Sequence, residues 1–222
     1  MILTLIDWIQ LCMFILSMTV FILKPSPTIL KYYPVYFLGS FGIGFFQEYT
    51  WNLGIHNTNV TNVYSIVDFC FLFFVIRAFI VNAKIRRVIP YAIFIFVIFA
   101  CINLVIVQKK EGFNPINYAI ATFITVVLCI YYFFELFQRT EAPSLSRLPA
   151  FWITSAILFS VVLTFPMFTL MSFMEQWTKL NQTSFRIITT NIDTIFNIIT
   201  ILTYTLYSTG FLCVIRISKS TL

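Results

Sequence analysis

The chain contains one histidine, His56, and places it in a polar turn. That excludes a His-rich zinc site, a zinc-protease helix of the HExxH type and the multi-histidine metal centre of seven-helix ceramidase-like hydrolases. Each of these needs several imidazoles in register. Serine–histidine catalysis would require His56 to reach a buried serine from its loop. Charge is scarce too: 10% of the 222 residues are charged, and eight are acidic. No glycine-rich phosphate loop occurs. The five cysteines, Cys12, Cys70, Cys101, Cys129 and Cys213, show no metal-ligand or disulfide spacing. They fall in apolar segments and read as small buried hydrophobes. No positively charged leader precedes the first apolar segment, so an uncleaved first span is expected. No internal repeat is evident. Neither metal nor cofactor is expected, and the chain does not read as an enzyme.

What remains is grease. The sequence is 60% hydrophobic with 27 phenylalanines, and its mean hydropathy is +0.93. Such a composition describes an integral membrane protein. The expected fold is all-α: a single domain over residues 1–222 that bundles seven transmembrane helices of about 20 residues each. The spans are expected at about 2–23, 33–53, 63–81, 88–107, 118–137, 150–173 and 187–215. Pro166 predicts a kink in the sixth. Gly42 and Gly44, with Ser40, would allow close helix approach in the second. The fourth is nearly featureless and should be the most exposed to lipid.

The net charge of +6 does not point to nucleic acid, because the basic residues sit between spans. Lys24, Lys31, Lys84, Arg86, Arg87, Arg139, Arg147, Arg216 and Lys219 fall on one side. Lys109, Lys110, Lys179 and Arg186 fall on the other, and Arg77 lies within the third span. The excess of positive charge on cytoplasmic loops then puts the amino terminus outside and the carboxyl terminus in the cytoplasm.

The seventh span is the odd one. Thr190, Asp193, Asn197, Thr200, Tyr204 and Ser208 follow steps of three and four residues, which align them on one helix face. A carboxylate at the bilayer centre costs about 2.5–3.5 kcal/mol, so this face should look into protein or a wet cavity. Asp7, Glu48, Asp68 and Asp193 all fall in the outer half of the predicted bundle, with Asn52, Asn62, Asn117 and Asn191 at similar depths. The expectation is an outward-opening acidic pocket walled by spans two, three, five and seven. Glu48, Tyr64, Asp68, Tyr118, Thr190, Asp193 and Asn197 would bind a small cationic or hydrogen-bonding ligand there. Interhelical hydrogen bonding explains the same polar groups without any ligand. Span five carries a further stripe, Tyr118, Thr122, Thr125, Cys129 and Tyr132. Arg77 and Glu135 lie close enough to the cytoplasmic ends of their spans to pair.

Asn62-Val63-Tyr64-Ser65-Ile66-Val67-Asp68-Phe69, Phe113-Asn114, Tyr131-Tyr132-Phe133 with Glu135 and Phe137, and Pro149-Ala150-Phe151-Trp152-Ile153 together carry a resemblance. The chain resembles a family of small, mostly uncharacterised multi-pass membrane proteins of Bacteroidota-type bacteria. Asp68 stands where that family would carry Glu, which keeps the carboxylate. The resemblance implies an inner-membrane location and about seven helices, and it brings no activity.

Three functions fit the sequence. The first is a membrane sensor or receptor-like protein that binds a small ligand from outside and signals through a cytoplasmic or membrane partner. Its cytoplasmic loops are too short to carry a kinase or cyclase. Lys84, Arg86, Arg87, Arg139 and Arg147 would face that partner, although anionic lipid explains the same cations. The second is a small-solute transporter or its membrane subunit. Third comes an intramembrane lipid-modifying enzyme using Asp68 and Asp193 as an acid–base pair. Span three does not end in the Asp-Arg-Tyr of animal seven-helix receptors. Span seven lacks both their Asn-Pro-x-x-Tyr and a lysine for retinal.

Overall fold

A computed structural model describes residues 5–22, 28–55, 57–107, 114–139, 145–177 and 182–220. His56 and the Lys24–Pro27 and Lys109–Gly112 linkers lie outside the described residues. Seven α-helices account for most of the rest: α1 (Leu5–Ile22), α2 (Tyr33–Asn52), α3 (Thr58–Phe79), α4 (Ala83–Ile102), α5 (Pro115–Phe137), α6 (Pro149–Trp177) and α7 (Gln182–Ser220). No strand occurs among the described residues. Within this set, five stretches are long and apolar enough to cross a membrane: Thr58–Phe79, Ala83–Ile106, Pro115–Phe137, Pro149–Leu170 and Thr194–Ile217. They mark an integral membrane protein. The apolar part of α1, Ile6–Ile22, is shorter. α2 is diluted by Gln47, Glu48 and Asn52.

Local chemistry sets the helix ends. The Asn82 side chain caps α4 by accepting from the backbone N–H groups of Lys84 (3.0 Å) and Ile85 (3.4 Å). Asn114 caps α5 through the Asn117 N–H (3.0 Å), with Pro115 in the first turn, where its missing donor costs nothing. Gly54 takes φ +72° in the turn between α2 and α3, a conformation that favours glycine. α6 continues as helix through Pro166.

The helices pack as a ring. α2 lies on α1, α1 on α7, α7 on α6, α6 on α5 and α5 on α3. The ring closes between α3 and α2 through the stacked rings of Tyr36 and Phe71 (centroids 4.3 Å apart) and the Gln47–Thr61 hydrogen bond (2.9 Å). α4 packs on α3 outside the ring and exposes Tyr91, Phe94, Ile95 and Ile98. The polarity is that of a membrane bundle: Val35 is 72% and Phe123 70% exposed, whereas hydroxyls and amides face inward.

Close approach occurs at Gly210, not at Gly42 or Gly44. A Cβ at Gly210 would meet Ile153 Cγ1 at 2.9 Å and the Pro149 carbonyl at 3.3 Å, so α6 and α7 touch backbone to backbone there. Nothing lies within 4 Å of a Cβ built at Gly42 or Gly44. The cysteines also depart from expectation. Only Cys129 is buried, while Cys12 and Cys101 point outward, as small apolar groups can on a face meant for lipid.

The predicted Arg77–Glu135 pair is not formed. Glu135 instead accepts the backbone N–H groups of Val81 (2.9 Å) and Asn82 (2.6 Å), which the turn between α3 and α4 leaves without helical partners. It also pairs with Arg139 at 3.4 Å. Arg77 Nε donates to the Arg86 carbonyl at 3.0 Å.

Candidate ligand-binding cavity

The ring encloses a cavity of about 360 Å³, within the range of small-molecule sites. Its α3 wall carries Thr61, Tyr64, Ser65, Asp68, Phe69 and Leu72, one helical face at steps of three and four. α2 contributes Tyr36, Phe37, Ser40 and Gln47, and α5 contributes Tyr118. α6 adds Ser160 and Thr164 among apolar residues. α7 brings Phe196, Thr200, Thr203, Tyr204 and Tyr207.

Asp68 is the one carboxylate lining the cavity among the described residues. Because α3 begins at Thr58, earlier than the expected Val63, Asp68 sits ten residues into it, about 15 Å along the axis. That is midway through the apolar span, deeper than the two turns expected. The Tyr36 hydroxyl neighbours this carboxyl group on the cavity wall. Its Oδ1 is buried and has no hydrogen-bond partner. On α7, Thr203 Oγ1 is in the same condition. Such an unmet polar atom costs about 1–3 kcal/mol, so both are primed to bond whatever enters.

Other polar groups on the wall are already engaged. Tyr118 and Thr164 hydroxyls meet at 2.7 Å, and Thr164 also donates to the Ser160 carbonyl (2.7 Å). Ser65 donates to the Asn62 carbonyl at 2.8 Å. Toward the basic end the cavity is floored by aromatic rings. Tyr33 lies 5.3 Å from both Phe71 and Phe211, and 5.6 Å from Phe37 and Tyr207. Phe69, Tyr118, Phe168 and Phe196 form a second run, with successive centroids 5.2, 4.5 and 5.2 Å apart.

Tyr64, Asp68 and Tyr118 therefore line the cavity as expected from the sequence. Glu48 does not. Its neighbour Gln47, about 100° around the helix, faces in instead. Asn197 is exposed, because Phe196 takes the inward position and packs on Phe168. The side chains of Thr190, Asp193 and Asn191 lie outside the described residues. Asp7 is buried at the start of α1, away from the cavity lining. On α5, Thr122, Thr125, Cys129 and Tyr132 are buried between helices, leaving Tyr118 alone to reach the space.

Asn62 and Asn117 belong elsewhere as well. Asn62 Oδ1 accepts the Asn114 N–H at 3.0 Å, and Asn103 Nδ2 donates to Asn114 Oδ1 (3.1 Å) and Asn117 Oδ1 (2.8 Å). Asn117 Nδ2 donates to the Ala100 carbonyl at 3.0 Å. This buried knot ties α3, α4 and α5 together beside a π-helical turn at Asn103–Val107. α6 is a wall beyond the four expected from the sequence. The spacing of Ser160 and Thr164, four residues apart in an otherwise apolar helix, was the available signal.

Compared with family models, curated proteins and solved structures, the chain matches none of them.

Proposed function

We propose that this is a receptor-like protein of the bacterial inner membrane, with seven spans, amino terminus outside and carboxyl terminus in the cytoplasm. It binds a small cationic or hydrogen-bonding ligand in the ring cavity and passes occupancy to a partner. The single observation carrying this reading is Asp68 Oδ1, buried on the cavity wall without a hydrogen-bond partner. Aromatic faces around a carboxylate suit an organic ammonium ion, which gains from both. α3 and α7 run from the cavity to the basic end, where Lys84, Arg86, Arg87, Arg139 and Arg147 are all exposed. A ligand bridging Asp68 and Thr203 would link those two helices and alter what their far ends present.

A second reading, a small-solute carrier, draws on the position of Asp68 midway along its span, the depth at which carriers bind. Purified protein is to be titrated with tetramethylammonium, choline and a primary amine of similar size, following its thermal unfolding midpoint. The receptor reading expects stabilisation by at least one of them, lost in Asp68→Asn, and no saturable uptake into vesicles. Stabilisation unchanged in Asp68→Asn defeats the ligand site. Saturable uptake replaces the receptor by the carrier.

A further inference from the structure

A second concavity lies at the basic end of the bundle, on the outside of the ring, where the turn before α6 meets the last turns of α7. Arg147 and Arg216 both line it, with Ser146, Cys213 and Ile217. The hollow continues along α7 past Leu212 and Ile215 to Thr209. Among the described residues, no acidic side chain lines either part. We propose that this groove binds one anionic glycerophospholipid of the leaflet at the basic end, its phosphate between Arg147 and Arg216 and an acyl chain along Leu212 and Thr209.

The depth of the two arginines argues for lipid. The apolar stretch of α7 ends at Ile217 and that of α6 begins at Pro149. Arg216, near the end of α7, and Arg147, in the turn that leads into α6, thus stand at the hydrocarbon boundary, the level of phospholipid phosphates. Two guanidiniums can hold a phosphate through paired N–H donors, which single scattered lysines cannot. From Arg216 back to Thr209 the helix covers about 10 Å, so the groove continues inward at the depth of an acyl chain. Its floor is held in place: Trp152 Nε1 donates to the Ser146 carbonyl (2.9 Å), and Cys213 Sγ lies 3.4 Å from the same oxygen. Trp152 beside the groove also suits the membrane–water boundary. Both arginines are exposed and free to reorient toward a headgroup.

The test uses full-length protein in neutral detergent and native mass spectrometry. Dihexanoyl phosphatidylglycerol, dihexanoyl phosphatidylcholine and inorganic phosphate are added separately. The proposal expects one retained phosphatidylglycerol, at least about tenfold preferred over phosphatidylcholine, and loss of that preference in the R147Q/R216Q double variant. K84Q/R87Q removes the same charge at the same end but outside the groove, and should keep it. Equal loss in both double variants would reduce the effect to general attraction and overturn the groove. Equal retention of the two lipids, or binding of phosphate as tight as that of phosphatidylglycerol, overturns the lipid assignment. Protection of Cys213 in wild-type protein gives a reading independent of any substitution. Maleimide labelling at that residue, followed by peptide mass spectrometry, should slow severalfold with phosphatidylglycerol and not with phosphatidylcholine. An unchanged rate contradicts the proposal.

Discussion

Two polar clusters share the interior of this bundle, and one of them borders a cavity while the other does not. The asparagine knot of α3, α4 and α5 spends most of its amide atoms on one another and on the Ala100 carbonyl, and leaves Asn114 Nδ2 buried without a partner. The cavity cluster leaves Asp68 Oδ1 and Thr203 Oγ1 unmet. Polarity inside a membrane helix is therefore not by itself a mark of function. A network bonded mostly from within holds helices together. Unmet atoms that face a space, by contrast, are a liability unless something else bonds them.

Substitutions should separate the clusters. The largest effect is expected for Asp68→Asn, which should weaken binding of a responsive ammonium ligand about 100-fold, or about 2.7 kcal/mol, by equilibrium titration. Its unfolding midpoint should hold or rise, since a buried unpaired carboxyl is removed. Asn117→Ala should do the reverse. It takes the side-chain donor from the Ala100 carbonyl and leaves an Asn103 N–H without its acceptor, lowering stability by about 2 kcal/mol in a denaturant titration with ligand affinity within twofold of wild type. A comparable loss in both properties for either variant would erase the distinction.

Gly210→Ala should cost about 1–2 kcal/mol, because the Pro149 carbonyl cannot give way. Gly42→Ala, in open space, should gain up to about 1 kcal/mol from helix propensity; the same denaturant titration compares the two. Tyr118→Phe is the mildest. Losing one hydroxyl contact with Thr164 should shift stability by less than about 1 kcal/mol and affinity by a few-fold at most.

The helices themselves were legible in the sequence, because long apolar runs broken by Pro, Gly and charge leave little choice of element. Three cavity residues were legible too: Tyr64, Asp68 and Tyr118 fall on faces with clear three-and-four spacing. Glu48 shows where such reading stops. A helical face can be identified from one strand of sequence, but its rotation toward neighbours depends on packing, and one residue of rotation exchanges Glu48 for Gln47. Asn197 failed for the same reason against Phe196. Asn62 and Asn117 show in the sequence only as polar groups, and nothing there says that they bond to one another's neighbours and not to the cavity. Their partner Asn103 lies in the π-helical turn of a segment that looked purely apolar. The contact at Gly210 was hidden likewise, since a glycine shows its use only when the facing backbone is known.

The most direct test measures ammonium binding by isothermal titration in wild type, Asp68→Asn and Asn117→Ala side by side. The account predicts affinity lost at Asp68 and kept at Asn117. Equal affinity in wild type and Asp68→Asn would contradict it, and would leave the cavity as packing space among membrane helices.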